Sequence, residues 1–549
     1  MVTEWSEHVL LVVVALPGVV GVALVVSGIA QGFLGLPALP EAVWRATGLI
    51  AGFVTFTIAF FWIGLAFDAE HIGLQYVERI SWRESEGLHW LLGVDGIGLC
   101  FLLSTAGLAP LALLASRGEI QESVRSWVFL VLMLETSLLG AIVSMNLLSF
   151  VFFWALSLLP ILLWLGRWGG EGRATAASRL WAIEAIGLAG LFFVTFVLHD
   201  MSLTQLGHST LDLVAVEPPA GMETRPSLLD LRIDPMEQTV LFLVLAVALA
   251  TRLPLVPLHF WLPAAHAVAP TGLSILLATG FVQVAAIGIL RFALPLFPEA
   301  ARAAGPTLSL IGIAALLYAS LIALVQKELK RLVAYASVGY AGFAIFGIAT
   351  LTAQGLTGAV VQLLTHGLAT AGLFMLIGSL AQRRQTTEVA AFGGLAKPMP
   401  VCAFFFGLMV LSLMGLPLLG GFVGDLFVLL GSLETRRELS VVALVAMVVA
   451  ASYLLWVQRR VFLGPVDEPA NRGLIDLDRI ERAMLLALTI PIVAIGIYPN
   501  PLLRRVEPAV LEILYQMERR SPPAPSADPD VESEVVTADR MIGRSGVPR

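Results

Sequence analysis

The chain has 549 residues, of which 58% are hydrophobic and only 13% are charged. Soluble globular proteins carry far less apolar sequence, so this composition indicates a polytopic membrane protein. The net charge of −7 argues against nucleic acid as a partner. Cys100 and Cys402 lie far apart in apolar runs and form no CxxC pattern, so no zinc, iron–sulfur or c-type haem site is predicted.

Apolar runs long enough to cross a membrane recur through the whole chain. Residues 8–28 form the first run, and no small-residue cleavage site follows it, so we expect a retained helix. Further runs lie near residues 46–66, 95–115, 126–145, 147–165, 177–198, 238–258, 272–292, 307–326, 332–350, 357–380, 401–430, 440–462 and 483–500. The sequence therefore predicts an all-α polytopic membrane protein with about 14 transmembrane helices.

The basic residues of the predicted loops indicate an orientation. Many more Arg and Lys residues fall on one side of the membrane than on the other when the loops alternate. Cytoplasmic loops carry this excess, so both termini and the loop of residues 199–235 are predicted to lie outside. The tail from Ser521 onward is rich in proline and acidic residues and is predicted to be disordered.

Two of the predicted helices contain residues that interrupt a helix. The stretch 249–271 carries four prolines together with Arg252, His259 and His266. Proline removes a backbone donor and clashes with the preceding turn, so this stretch cannot be one continuous helix. The stretch 411–426 has several glycines and a proline ahead of Asp425. Such a pair of broken helices points to an ion path at the middle of the membrane, and two ordinary proline kinks are the alternative.

Several motifs together resemble one family. LPLVPLHFWLPAAHAVAPT (253–271), followed by LRFALPLFP (290–298), resembles the signature of the antiporter-like membrane subunits of respiratory complex I, in particular the chain M or mitochondrial subunit 4 type. Further matching pieces, in family order, are GVDGI (93–97), MLETSLLGA (133–141), ALVQKELKRLVAYASVGYAGF (323–343), LLTHGLATAGLF (363–374), GLPLLGGFVGD (415–425) and YLLWVQRRVFLG (453–464). The resemblance covers most of the chain.

The resemblance implies a fold with two inverted five-helix repeats, each similar to a half-channel. The implied division is residues 1–125 for helices 1 to 3, 126–292 for the first repeat, 307–462 for the second repeat, 463–510 for the region of helix 14, and 521–549 for the disordered tail.

The resemblance also implies a function. Such a chain is a membrane-arm subunit of a NADH–quinone oxidoreductase in the bacterial cytoplasmic membrane, and it contributes to proton translocation coupled to quinone reduction. No cofactor is expected on this chain, because NADH, FMN, iron–sulfur clusters and quinone belong to partner subunits. The expected partners are membrane-arm subunits of the chain L, N and K types and the lipid bilayer.

The sequence departs from the family at four ionisable positions of the first repeat. Ala155 stands where the family has a glutamate, Ala264 where it has an aspartate, and Gln283 where it has a lysine. Arg252 replaces a second lysine, and arginine stays charged at any working pH, so it cannot readily release a proton. We therefore expect the first half-channel to be impaired or lost.

A set of ionisable residues remains as a candidate proton path. It consists of Glu135, Glu184, Arg252, His259, His266, Lys330, His366 and Asp425. Asp425 matches a family position usually held by glutamate. Histidine titrates near neutral pH and suits a proton relay, and a neutral, hydrogen-bonded structural role is the alternative for each histidine.

Glu184 has no family counterpart, and a carboxylate buried alone in lipid is costly, so we predict an ion pair with Arg252. Glu184 would also cancel the positive charge that the four departures add to the first repeat. A relocated catalytic glutamate is the alternative. Lys330, beside Lys327 and Arg331, is predicted to belong to a solvated loop cluster, with a role in proton uptake as the alternative.

Two other functions stay open at this point. Multisubunit cation/proton antiporters and energised inorganic-carbon uptake systems use similar subunits, so the chain could belong to an ion-transport module unconnected with respiration. The lost glutamate and lysines also suit a scaffold subunit that conducts nothing.

Overall fold

Helices dominate the structure because a backbone in lipid must satisfy its hydrogen bonds internally. The computed structural model describes residues 8–35, 39–83, 88–215, 226–466 and 469–520. Within these residues thirteen helices are long and apolar enough to cross a membrane. The tail that the sequence predicts to be disordered lies outside the described residues, as does the middle of the loop that follows the sixth predicted span.

Three helices precede the first repeat. They are α1 (Val9–Leu34), α2 (Glu41–Ile58) and α3 (Gly96–Ala115). A π-helical turn, Ala59–Gly64, continues α2. The side chain of Asp95 accepts a hydrogen bond from the backbone N–H of Gly98 and so caps the start of α3.

A β-hairpin, which the sequence analysis did not predict, connects α2 to α3. Strand β1 (Gln75–Arg83) pairs with β2 (Leu88–Val94) in antiparallel register. The carboxylate of Glu78 accepts a hydrogen bond of 2.6 Å from the backbone N–H of Leu10, at the start of α1. The hairpin therefore supplies an acceptor to the first turn of α1, whose backbone donors have no partner inside the helix.

Two consecutive sets of five helical segments follow, and in each set the fourth segment is interrupted. The first set is α4 (Val124–Val143), α5 (Leu147–Trp168), α6 (Arg173–Leu206), the broken pair α7 (Pro235–Arg252) and α8 (Trp261–Val268), and α9 (Thr271–Leu296). The second set is α10 (Pro298–Leu324), α11 (Leu329–Ile348), α12 (Ala353–Arg384), the broken pair α13 (Pro400–Leu413) and α14 (Gly420–Thr435), and α15 (Arg437–Phe462).

The two sets have opposite orientations in the membrane, because five crossings separate each helix from its counterpart in the other set. Both interruptions fall inside the stretches where the sequence predicts them, so the two broken helices are confirmed. The predicted span 401–430 is divided between α13 and α14. Together with the thirteen longer helices, this broken segment accounts for the fourteen predicted crossings.

The core of the protein is built around α9 and α12, which are buried along almost their whole length. Two π-helical turns, Leu277–Phe281 and Gly288–Ala293, interrupt the α-helical hydrogen bonding of α9. Such turns inside a helix are frequent at functional sites. The outward faces of α1, α2 and α15 carry exposed large apolar side chains, which suits contact with lipid.

The C-terminal part of the described chain comprises the membrane-spanning helix α16 (Arg479–Ile497) and the amphipathic helix α17 (Asn500–Arg519), which the sequence analysis did not separate. Helix α17 packs on the same face as the hairpin, where Arg505 lies against Gly96 at the start of α3. The guanidinium of Arg520, after α17, donates to the carbonyl of Leu231 at 2.8 Å. We call this side of the protein, next to β1, β2 and α17, the hairpin face. The opposite side, next to Arg117 and Arg383, is the Arg-rich face.

Candidate functional site

The first interruption lies between α7 and α8. A 3-10 turn, Leu258–Phe260, occupies part of the gap between the two helices. The indole N–H of Trp261 donates to the carbonyl of Thr251 at 2.8 Å. A side chain therefore satisfies one of the carbonyls that lose their helical partner at the break.

The predicted ion pair between Glu184 and Arg252 is present beside this break. Nη2 of Arg252 lies 2.9 Å from Oε2 of Glu184, and Nε of the same guanidinium lies 3.3 Å from that oxygen. Both side chains are fully buried. The guanidinium also lies over the ring of Trp154, 3.6 Å from its centroid, and over Phe281 at 4.0 Å. The pair is thus held by two hydrogen bonds and two aromatic faces.

The backbone beside Ala155 supplies a further contact. Nη2 of Arg252 donates to the carbonyl of Trp154 at 3.2 Å. This carbonyl belongs to the residue next to Ala155, the position at which the resemblance leads one to expect a glutamate. The cation of α7 therefore binds Glu184 and a backbone dipole. Because the guanidinium of Arg252 stays charged, it exchanges no proton with either partner.

Gln283 occupies the middle of α9 as a neutral polar residue. The hydroxyl of Ser104 donates to Oε1 of Gln283 at 3.0 Å, and the hydroxyl of Thr105 lies 3.4 Å from the same atom. A carboxamide does not titrate, so it can orient a neighbouring hydroxyl but cannot carry a proton charge. The first set of helices thus holds groups that do not titrate at three central positions, which are Ala155, Arg252 and Gln283.

Glu135 and His259 lie apart from the other candidate residues. Glu135 is fully buried in α4, and neither of its oxygens has a hydrogen-bond partner within the described part of the chain. His259 packs its ring against Tyr318, with centroids 5.3 Å apart, and against Tyr335 at 6.3 Å. No described hydrogen bond or ion pair joins either residue to the rest of the candidate path.

Lys330 is buried, so its prediction as part of a solvated loop cluster is wrong. Its ammonium donates to the carbonyl of Ala269 at 2.7 Å, just after α8, and only 8% of the residue is exposed. Lys327 and Arg331 are exposed as predicted. Helix geometry explains the difference, because Arg331 points away from the core at the start of α11, whereas Lys330 faces α8.

His266 lies close to this lysine in α8. Its ring stacks on Phe374 of α12, with centroids 4.5 Å apart and an angle of 15° between the planes. The residue is fully buried, and neither ring nitrogen has a hydrogen-bond partner within the described residues. Buried polar groups are normally paired, so these two free nitrogens mark a position where water or a proton could be held.

The second interruption lies between α13 and α14. The hydroxyl of Tyr340 in α11 donates to the carbonyl of Leu413, the last residue of α13. Gly415 adopts a left-handed φ of +70° and lies against the carboxylate of Asp425. Asp425 is only 4% exposed, and its Oδ2 has no hydrogen-bond partner within the described residues.

His366 and Asp425 approach the second break through Tyr340. The ring of His366 lies 4.7 Å from the ring of Tyr340, centroid to centroid. Its Nε2 lies 3.2 Å from the hydroxyl of Thr370 and 3.4 Å from that of Ser337. The second set therefore brings together a histidine, two hydroxyls, a tyrosine and a carboxyl group, all at membrane depth.

Several residues of this site were missed in the sequence analysis. Tyr340 and Ser337 lie in the AYASVGYAG part of a quoted motif, which could have revealed them as polar residues spaced by three on one helix face. Arg291, which the sequence analysis did not single out, is buried in α9 and pairs with Asp95 at 3.1 Å. Glu119, whose carboxylate accepts from the backbone N–H of Thr271 at 2.7 Å, carried no signal in the sequence.

The described residues contain no group of three or more His, Cys, Asp or Glu that could hold a metal ion. Cys100 and Cys402 are buried and free.

Residues 144–451 match the family described as "NADH:quinone oxidoreductase/Mrp antiporter, TM". Among curated relatives, NADH-quinone oxidoreductase subunit M of Rhodobacter capsulatus is 32% identical over 512 residues, which cover 92% of this chain and 96% of the relative. Subunit M of Pseudomonas aeruginosa is 33% identical over 440 residues, covering 77% of this chain and 82% of that protein.

Solved structures show the same architecture. A chain of respiratory complex I from Thermus thermophilus is 28% identical, with a TM-score of 0.79 and coverage of 92% of this chain and 99% of the other. A chain of the Mrp complex from Dietzia sp. DQ12-45-1b is 19% identical, with a TM-score of 0.73 and coverage of 94% and 99%. This second likeness concerns the fold alone.

Proposed function

Because the chain belongs to the NADH:quinone oxidoreductase/Mrp antiporter family of transmembrane subunits, we propose that it works as the M-type subunit in the membrane arm of a NADH–quinone oxidoreductase. In that role it contributes to proton translocation coupled to quinone reduction. Its partners are the other membrane-arm subunits, of the chain L, N and K types. NADH, FMN, iron–sulfur clusters and quinone are bound by subunits other than this one.

The protein crosses the membrane many times, and we propose that the hairpin face is the outer face of a bacterial cytoplasmic membrane. The excess of basic residues in the opposite loops supports this orientation. Both ends of the chain then lie outside.

Within this chain we propose that protons move through the second repeat, by way of His366, Tyr340 and Asp425. The side chain of Asp425 can accept and release a proton, and an imidazole can do so near neutral pH. The hydroxyls of Ser337 and Thr370 lie close enough to His366 to orient its ring or pass a proton to it. Water molecules complete the relay, because no described hydrogen bond joins His366, Tyr340 and Asp425 to one another.

We propose further that the centre of the first repeat, at the Glu184–Arg252 pair, does not conduct. The observation that supports this is the fully buried Glu184–Arg252 pair, with its 2.9 Å contact and its two aromatic faces. Its two charges cancel, and neither can leave its partner without a large desolvation cost. Gln283, which holds the next central position, does not titrate.

The experiment compares proton translocation per NADH oxidised in membrane vesicles that carry variants of the assembled complex. His366→Ala and Asp425→Asn are expected to lower this ratio by the share that this subunit contributes. The matched control for the first repeat is the double variant Glu184→Leu with Arg252→Met, which replaces the ion pair by apolar side chains of similar volume. We expect it to leave the ratio unchanged.

Two outcomes would contradict the proposal. If the double variant lowers the ratio while assembly is normal, the first repeat conducts protons. If His366→Ala and Asp425→Asn leave the ratio intact, the chain is a scaffold of the membrane arm.

A further inference from the structure

A buried lysine on the Arg-rich face connects the two repeats. The ammonium of Lys330, which belongs to the second set of helices, donates to the carbonyl of Ala269, three residues after His266 in the first set. Lys330 and His266 also lie within electrostatic range of each other. His266 is fully buried, and both of its ring nitrogens are unpartnered within the described residues. A proton donor and a proton acceptor thus lie within electrostatic range of each other.

Glu119 is half-buried and lies within electrostatic range of this lysine. Its carboxylate accepts from both the backbone N–H and the hydroxyl of Thr271, at the start of α9. Lys330 interacts electrostatically with Glu119 and with Glu328. The carboxylate of Glu328 is bound to Arg331 at 3.2 Å on the exposed side. Of these two carboxylates near Lys330, Glu328 is paired with Arg331, whereas Glu119 forms no described ion pair.

A polar cavity of about 220 Å³ opens on the Arg-rich face, near the end of α3. Ser379, Arg383 and Glu481 line one side of it, and Arg117 lies on the other, two residues before Glu119. A cavity needs roughly 10–15 Å³ to hold one water molecule, so this one has room for several. Gly378, the neighbour of Ser379, packs directly against Thr271. One residue, Gly378, thus separates the cavity wall at Ser379 from the residue that Glu119 binds.

We propose that Glu119 and Lys330 form a proton-uptake site that feeds the second repeat without passing through the Glu184–Arg252 pair. In one cycle the ammonium of Lys330 gives a proton to the imidazole of His266. The neutral amine then takes a proton from the carboxyl group of Glu119, which is reprotonated by water on the Arg-rich face. One proton enters from the water and one arrives at His266, so the step balances.

This inference rests on the proposed function, because it supplies the inner end of a path through the second repeat. From His266 the route follows α12, whose Phe374 stacks on that ring and whose Thr370, one turn away, lies 3.2 Å from His366. The site places proton uptake on the face with the excess of basic loop residues and release near Asp425.

The test uses the assembled complex in membrane vesicles and three variants. Glu119→Gln keeps an oxygen for the N–H of Thr271 but cannot carry a proton, and we expect it to slow proton uptake through this chain by about a hundredfold. The measured ratio of protons to NADH then falls to that of Asp425→Asn. Lys330→Arg keeps the charge and a donor for Ala269 but cannot release a proton. We expect it to lower the ratio of protons to NADH by the same amount. Glu119→Asp should recover much of the ratio.

Glu328→Gln is the matched control, because it removes a carboxylate from the solvent side of the same lysine. It is expected to leave the ratio unchanged. If Lys330→Arg and Glu119→Gln both pump normally while Asp425→Asn does not, Lys330 only clamps the backbone and the uptake site is wrong. If Asp425→Asn also pumps normally, the proposed function itself has failed.

Discussion

Both broken helices leave a backbone carbonyl without its helical partner, but the first break holds an ion pair and the second a single carboxyl group. At each break an aromatic side chain donates to a freed carbonyl, from Trp261 to Thr251 in the first and from Tyr340 to Leu413 in the second. The first break then carries a fully buried ion pair, whereas Asp425 beside the second has an oxygen without a described partner. The same helix-break geometry can therefore hold a neutralised ion pair in the first set of helices and an unpaired carboxyl group in the second.

The largest effect should come from unbalancing the first break. Arg252→Ala leaves Glu184 buried without a cation, and removing one partner of a buried pair costs about 3–5 kcal/mol. Thermal unfolding of the purified complex, together with the amount of this chain that assembles, measures the loss. The double variant Glu184→Leu with Arg252→Met should assemble close to normally. Equal damage from the single and double variants would mean that the pair has a role other than mutual neutralisation.

A smaller effect should come from the two aromatic donors, and here the breaks can be compared directly. Trp261→Phe and Tyr340→Phe each remove one donor from a buried carbonyl, which costs about 1–3 kcal/mol of stability in either case. Only Tyr340→Phe should also lower proton translocation, because only Tyr340 lies against the ring of His366. A loss of pumping in Trp261→Phe at normal assembly would remove the distinction between a locked break and a conducting one.

The smallest effect is expected at Gly415. Its left-handed φ of +70° disfavours a side chain by about 1–2 kcal/mol. A Cβ there would also lie 2.6 Å from Oδ2 of Asp425 and would displace that carboxyl group. Gly415→Ala should therefore reduce both stability and pumping. Gly207→Ala is the control, because its φ is +74° and nothing lies within 4 Å of the added atom. If both variants pump alike, the position of Asp425 does not matter.

Much of the fold could be predicted because hydrophobic run length and helix-breaking residues are local properties of the sequence. The spans, both interruptions and the burial of the two cysteines follow from such signals. The β-hairpin could not be predicted in this way. Its strands contain charged residues such as Glu78 and Arg79, and it bonds to α1, which lies far from it in sequence.

The candidate site was predictable where a charge had to be compensated. A buried carboxylate with no family counterpart required a cation, and only Arg252 was near membrane depth on a neighbouring helix, so the ion pair could be predicted. Lys330 could not be placed correctly, because its neighbours Lys327 and Arg331 are exposed and the sequence does not reveal which residue of such a run faces inward. The roles of Glu135, His259, His266, His366 and Asp425 in proton transfer stay predictions.

Helix α11 connects the two broken helices. Its Lys330 holds the carbonyl of Ala269, just after α8, and its Tyr340 holds the carbonyl of Leu413 at the second break. Ten residues of helix separate these two anchors, a span of about 15 Å. No proline interrupts α11 between them, so it transmits displacement as a stiff rod. We therefore expect a displacement of α8 to reach the second break through α11, which gives the two halves of the protein a mechanical link that needs no proton to pass between them.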